Sequence, residues 1–281
     1  KKTEVIKIKV AIISDIHGNC VALKEIVKDA NKNGVSDFVF LGDMVHDLPF
    51  GNETLEIVRS ISNKVIKGNK EQYLIEYDQE QYDWDNVQFR NNKFMYKEIS
   101  RDNLEYLKTL PISITVEYEG VKILFVHGSP KSVEEQLHRV DRELLDKYTS
   151  NLKEDVLVFG HTHEKIWYEY INNKLVVSAG CAGVSPCYIG GAEYVILNIE
   201  DGKIEVKPKL VNYDIEELKQ KIIRCGILEQ DRVFMNLTYN AIRGEGDIRY
   251  KFFKEAKTIM LERNGKCYKD NAKGIFKYFK L

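Results

Sequence analysis

The sequence predicts an α/β layered fold, and three observations carry that prediction. Five short apolar runs at residues 10–13, 38–41, 64–67, 123–126 and 156–159 are rich in β-branched and aromatic side chains. They are too short for helices and read as buried strands. Helical patterns fill the segments between them, an alternation typical of α/β folds. Residues 113 to about 211 are mostly strand-like and supply a second sheet, after which the pattern turns helical.

In order along the chain, the first 70 residues read as three β–α units. The first helix, 20–33, is amphipathic; Asn19 suits its N-cap and Gly34 its C′ position. Residues 71–111 form a polar, aromatic, cap-like helical insertion that ends in a helix over 100–110, stopped by Pro111. Its Tyr73, Tyr77, Tyr82, Trp84, Phe89 and Tyr96 either stack on a base or pack among themselves, and packing is the favoured reading. A hairpin over 114–126 turns at Glu119-Gly120. Residues 1–211 thus form the main domain and 212–281 a helical, basic extension, with a first helix over 212–224. Within the extension, residues 251–281 hold nine Lys/Arg against three acids, with Phe252, Phe253, Ile259 and Met260 as an apolar face. That tail is either a basic flap for polyphosphate or a helix docked on the domain or on a second subunit, and docking is preferred.

At 281 residues and 43% hydrophobic content, the chain has enough apolar surface for a large core. The net charge of −1 gives no strong field for polyanions, so nucleic acid is not the expected partner. No apolar stretch approaches the ~18–20 residues of a membrane span, and the N-terminal segment lacks a signal-peptide core. Cys20, Cys181, Cys187, Cys225 and Cys267 include no C-x-x-C pair, so reduced thiols and a cytoplasmic location are expected. Cys181 reads as a small packed side chain.

Polar residues of a few kinds recur just after the apolar runs. They are Asp15 and His17 in S-D-I-H-G-N, Asp43 in L-G-D, Asn69 in K-G-N, His127 in F-V-H-G, and His161 and His163 in F-G-H-T-H. Ligand-binding groups of layered α/β folds gather beyond the carboxyl ends of the strands, so these seven are expected on one edge. Imidazole nitrogen with carboxylate and amide oxygen suits Mn, Fe, Co, Ni or Zn; no thiolate is on offer. One carboxylate can bridge two such ions, and two aspartates leave the pair net positive and receptive to an anionic oxygen. Ions roughly 3.5–4 Å apart suit in-line attack on phosphorus.

Taken in order, these motifs resemble those of the calcineurin-like metallophosphoesterases: D-x-H, G-D, G-N-H-[DE], a lone H and G-H-x-H. They stand here as Asp15-Ile16-His17, Gly42-Asp43, Gly68-Asn69-Lys70-Glu71, His127 and Gly160-His161-Thr162-His163, and residues 176–183 resemble the family's loop after G-H-x-H. The resemblance covers about residues 8–200. It implies a four-layer β-sandwich of two mixed sheets flanked by helices, holding two divalent metal ions. Asp15, His17, Asp43 and His163 would surround one ion; Asp43, Asn69, His127 and His161 would surround the other. A metal-bridging hydroxide would be the nucleophile, with Asp43, Asn69, Lys70 and His127 as catalytic residues. By resemblance to bacterial phosphodiesterases and dinucleoside polyphosphatases, the substrate would be a small phosphodiester or a nucleotide-type anhydride. A phosphoesterase-fold scaffold for protein binding and a nuclease are the alternatives.

Two departures from the family pattern bear on chemistry. Lys70 replaces the histidine of G-N-H, and its reference pKa near ~10.4 makes it a poorer proton donor than histidine at ~6.5. Lys70 either assists the leaving oxygen or is solvated and paired with Glu71. Beyond Asp43 the chain reads Met44-Val45-His46-Asp47-Leu48-Pro49, without the phosphate-clamping Arg of the family's protein phosphatases. Both departures argue against protein phosphatase action. His46 and Asp47 either reach substrate or hydrogen-bond their loop, and Asn19 either contacts substrate or caps its helix; the structural reading is preferred in each case. His138 is expected in a solvated helical stretch.

Overall fold

Strand β1 (Ile8–Ile13) buries both of its faces. Val10 and Ile12 enter one apolar cluster, Ala11 and Ile13 another. Side chains alternate along a strand, so a continuous apolar run has to be covered on both sides. The same division recurs in β6 (Val156–Phe159), where Val156 and Val158 face one cluster and Leu157 and Phe159 a third.

The computed structural model describes residues 7–79 and 90–244. One five-stranded sheet has the order β10-β9-β1-β2-β3 and contains β2 (Asp37–Phe40), β3 (Lys64–Val65), β9 (Gly191–Glu200) and β10 (Lys203–Asn212). The other has the order β4-β5-β6-β8-β7, with β4 (Ser113–Tyr118), β5 (Val121–Val126), β7 (Trp167–Ile171) and β8 (Lys174–Ser178). Both are mixed: β1–β2–β3 and β5–β6–β8 are parallel, and the outer pairings are antiparallel. Ile12, Val39, Phe125, Val158, Val177 and Leu197 fill the space between the sheets without exposure to solvent. Burying each such side chain contributes about 1.5–3 kcal/mol.

Helices form the outer layers. The helices α1 (Cys20–Lys32), α2 (Gly51–Ile61), α3 (Asn69–Asp78), α4 (Arg90–Glu98) and α5 (Arg101–Thr109) cover the first sheet. Helix α6 (Arg142–Ser150) covers the second, through Leu145 and Tyr148. The C-terminal helices α7 (Ile215–Arg224) and α8 (Ile227–Ile242) join the first helical layer through Leu218, Ile222, Ile227 and Met235. The expected fold of two mixed sheets flanked by helices, with further helices after the last strand, is the one observed. No helix among the described residues is long and apolar enough to cross a membrane.

Several local expectations hold. Asn19 caps α1, accepting the N–H of Ala22, and Gly34 takes φ +70° beyond its end. Ser100 caps α5, which ends before Pro111. Glu119 (φ 49°) and Gly120 (φ 79°) are both left-handed, as a two-residue hairpin turn requires.

Others shift. Strand β3 is shorter than its apolar run: its ladder with β2 covers Lys64 and Val65, Ile66 N still donates to Phe40 O at 3.0 Å, and Lys67 N donates to Pro111 O at 2.9 Å, outside the sheet. Strand β10 stays paired up to Asn212 opposite Gly191, so α7 begins at Ile215, where Asp214 caps Glu216 and Glu217. His138 lies in a turn, not a helix; its Nδ1 is 2.9 Å from Glu164 Oε1. Tyr82, Trp84, Phe89, Cys267 and the basic tail 251–281 lie outside the described residues.

Candidate metal centre

Parallel pairing puts the carboxyl ends of β1, β2 and β3 on one edge of the first sheet, and those of β5 and β6 on one edge of the second. Asp15 and His17 follow β1, Asp43 follows β2, and Asn69 opens α3 after β3. His127 follows β5, and His161 and His163 follow β6. The loops bond to one another: His17 N donates to Asp43 O at 2.8 Å and Gly160 N to His127 O at 2.8 Å. Asp15, His17, Asp43, His161 and His163 all adopt positive φ, between 52° and 68°. Such a backbone costs about 1–3 kcal/mol per residue and persists only where neighbouring structure enforces it, commonly at functional sites.

The first cluster is Asp15, His17 and His163. Nε2 of His17 and Nε2 of His163 lie 2.9 Å apart. Asp15 Oδ1 stands 3.3 Å from His163 Nε2 and 3.8 Å from His17 Nε2. Asp15 Oδ2 is occupied, accepting from Ser14 Oγ at 2.6 Å and His161 N at 2.9 Å. Oδ1 is buried and has no hydrogen-bond donor, an arrangement that costs free energy unless something positive meets it. Nδ1 of His163 faces the Val184 carbonyl at 3.3 Å, which turns Nε2 to the cluster. Burial, which opposes charge on this ring, is outweighed by Cys181 and Asp15, so its pKa is raised well above the usual histidine value.

The second cluster is Asp43, His127 and His161. His127 Nδ1 donates to Leu41 O at 2.8 Å, and its Nε2 points inward, 3.4 Å from Asp43 Oδ1 and 3.0 Å from Asn69 Oδ1. His161 Nε2 donates to Glu134 O at 3.1 Å, which leaves Nδ1 as its lone-pair nitrogen. The Asp43 carboxylate lies between the clusters: Oδ1 faces His127, and Oδ2 is 3.9 Å from His17 Nε2. All seven residues expected at the strand ends therefore converge. Two separate His/Asp clusters can each coordinate a divalent ion, and the undonated Asp15 oxygen fits that use.

The titrations follow from burial and neighbours. Burial acts to raise Asp15, but His163, with His127 and His17, outweighs it and holds the carboxyl well below the usual range. Asp43 is likewise held low, by His127 against the effect of burial. Burial pushes His17 down to about 3 and also lowers His161. Burial opposes charge on His127 as well, yet Asp43 raises it to about 9.

Glu71 is a residue whose role the sequence reading missed. It does not pair with Lys70, whose Nζ sits over the Tyr73 ring, 5.7 Å from its centroid. Fully buried, Glu71 accepts four backbone N–H groups: Asp43 and Gly68 on Oε2, Met44 and Val45 on Oε1. Gly68 caps α3 with glutamate three residues on, half of a capping box, and that spacing was the available signal. Lys70 donates its backbone N–H to Asp43 Oδ1 at 2.8 Å. Asn19 is fully buried, and besides its cap it donates from Nδ2 to Gly183 O at 2.7 Å. His46 is buried with Nδ1 2.9 Å from Asp47 Oδ1, its ring edge-on to Phe234.

Comparison with known proteins bears on the family and the fold. The model of the calcineurin-like phosphoesterase superfamily domain matches residues 8–202. An uncharacterised protein of Methanocaldococcus jannaschii is 27% identical over 251 residues, covering 82% of this chain and 99% of its own. The crystal structure of a metallophosphoesterase from Sphaerobacter thermophilus superposes with a TM-score of 0.65 at 22% identity, over 81% of this chain and 98% of that one. A hypothetical protein from Pyrococcus horikoshii OT3 superposes with a TM-score of 0.71 at 19% identity, over 84% and 98%. These two structures share the fold.

Proposed function

Because the chain belongs to the calcineurin-like phosphoesterase superfamily, we propose that it is a phosphoesterase using two divalent ions, drawn from Mn, Fe, Zn, Co or Ni. Asp15, His17, Asp43 and His163 would hold one ion; Asp43, Asn69, His127 and His161 would hold the other. The observation that carries this reading is the Asp43 carboxylate, with one oxygen turned to His127 and the other to His17. When bound, such ions lower the pKa of water and neutralise charge on phosphoryl oxygens.

The side chains divide the remaining work. His127 and Asn69 line the second cluster, and the Lys70 N–H holds Asp43 Oδ1 in place. The Lys70 ammonium, partly exposed beside Tyr73, supplies positive charge for the leaving oxygen. A lysine in that place, with no arginine clamp, favours a substrate whose leaving group needs little protonation. Phosphodiesters and nucleotide or dinucleoside polyphosphates fit, as in the bacterial phosphodiesterase branch. Asn19 and His46 support the loops in this reading, because their polar atoms are engaged within the protein. A cytoplasmic setting agrees with the free cysteines among the described residues.

Hydrolysis of bis(p-nitrophenyl) phosphate with Mn²⁺, compared between the parent and Asp43→Asn, tests the reading. The variant should lose at least ~100-fold in turnover, because both ions lose a ligand. Equal turnover would leave a phosphoesterase fold serving as a scaffold.

A further inference from the structure

His17 differs from the other three candidate histidine ligands in what stands behind its ring. His127, His161 and His163 each turn the nitrogen away from the cluster toward a backbone carbonyl, of Leu41, Glu134 and Val184. His17 instead turns Nδ1 toward a carboxylate, Asp47 Oδ2, at 3.5 Å. Both side chains are almost completely buried, at 1% and 2% exposure. At that separation Nδ1 makes no hydrogen bond, which leaves it a buried polar nitrogen aimed at an anion.

The carboxylate is itself held. Nδ1 of His46 meets Asp47 Oδ1 at 2.9 Å, so His46, Asp47 and His17 form a row that ends at the first cluster. His46 (φ 74°) and Asp47 (φ 60°) are consecutive left-handed residues, a strained turn that directs the carboxylate back at the His17 ring. Leu48 N donates to His17 O at 3.0 Å and Gly18 N to Met44 O at 2.9 Å, fixing the two loops against each other.

We infer that Asp47 is a positioning residue for His17: it keeps the proton on Nδ1, aims the Nε2 lone pair at the first cation site and thereby sets that site's affinity. The inference rests on the two-ion reading above. A cation on Nε2 would make the Nδ1 proton more acidic and so strengthen its attraction to Asp47, which stands 3.5 Å away. A carboxylate behind a ligating imidazole also raises the basicity of the ring, and losing such a partner typically costs about 10–100-fold in metal affinity. No equivalent carboxylate backs His127 or His161 among the described residues, so the effect is confined to the first site.

Titration of metal-free protein with Co²⁺, followed by calorimetry and by visible absorption, tests this. Asp47→Asn preserves the shape of the side chain, and asparagine tolerates positive φ. The parent should bind two ions. The variant should keep one site within about twofold and lose about 10–100-fold at the other. His46→Asn, which leaves the Asp47 charge but removes its anchor, should weaken the same site by a smaller factor. A merely structural role would lower the melting temperature of the metal-free protein or weaken both sites alike, and either result overturns the inference. So does unchanged first-site affinity in Asp47→Asn or, should that variant not fold, in His46→Asn. A parent that binds no cation would instead sink the two-ion reading on which the inference rests.

Discussion

Glu71 Oε2 accepts the backbone N–H of Asp43 at 2.8 Å from inside the core, where the carboxylate has no exposure to solvent. The same oxygen takes the N–H of Gly68 at 2.7 Å, so one side chain joins the loops after β2 and β3. Those loops carry Asp43 and Asn69, and their separation sets the width of the second cluster. Bonds from four N–H groups offset part of the cost of burying the carboxylate, but burial and the neighbouring Asp43 charge still raise its pKa to about 7.

Replacing Glu71 by glutamine should therefore damage fold and site together. An amide places its NH₂ against backbone donors, leaving at least one buried N–H unpaired. The expected loss is about 2–4 kcal/mol in urea unfolding, with weaker cation binding. Unfolding midpoints and slopes equal to the parent's would refute the role assigned to Glu71.

Close approach makes Gly68 indispensable. A Cβ there would lie 2.2 Å from Asp43 Oδ1 and 2.9 Å from His127 Cε1. Gly68→Ala should displace Asp43 and cut divalent-ion affinity by more than ~10-fold. Gly120→Ala is the control, since its Cβ meets nothing within 4 Å and the cost is only the left-handed turn, about 1 kcal/mol. Equal ion affinity in the two variants would contradict this placement.

Loading the second site should release protons. In the metal-free protein Asp43 raises His127 to about 9, so the ring is protonated at neutral pH, and a cation on Nε2 must displace that proton. Affinity should rise with pH through the neutral range and level off above about 9. Calorimetry in buffers of different ionisation enthalpy reads the proton count directly. A heat independent of the buffer would contradict the protonated ring.

Glu53 ties α2 to α1 through Lys24 and to α7 through Lys221, the latter at 2.8 Å. Burial acts to raise this carboxyl, but Lys221 and Lys24 hold it at about 2, down from 4.5. A depressed folded pKa means stabilisation that is complete above 4.5 and disappears as pH falls through about 2. Glu53→Gln should cost about 0.5–1 kcal/mol at pH 7, since the group is partly solvated, and nothing near pH 2. A stability difference that does not change with pH would show that packing, not charge, is what Glu53 contributes.

The candidate ligands were legible in the sequence because they depend on local signals. Short β-branched runs at 10–13, 38–41, 123–126 and 156–159 mark strands whether or not their neighbours are known, and the polar residue after each falls at a strand end. The Asn19 cap and the Glu119-Gly120 turn are equally local. The apolar run at 64–67 does not show that β3 pairs only over Lys64–Val65, because the extent of pairing is set between segments distant in sequence. Adjacency in sequence offers Lys70 as one partner for Glu71, whereas its partners at Asp43, Met44 and Val45 lie 26 to 28 positions away.

Residue types and their order along the chain thus determined which atoms are able to bind metal and which edge of the fold collects them. Only the tertiary structure decided which nitrogen of each imidazole faces inward, that the two oxygens of Asp43 face different clusters, and that Asp47 stands behind His17. Hydrogen-bond direction and carboxylate orientation are set by groups brought together from distant segments, and no local sequence pattern encodes the angle at which they meet.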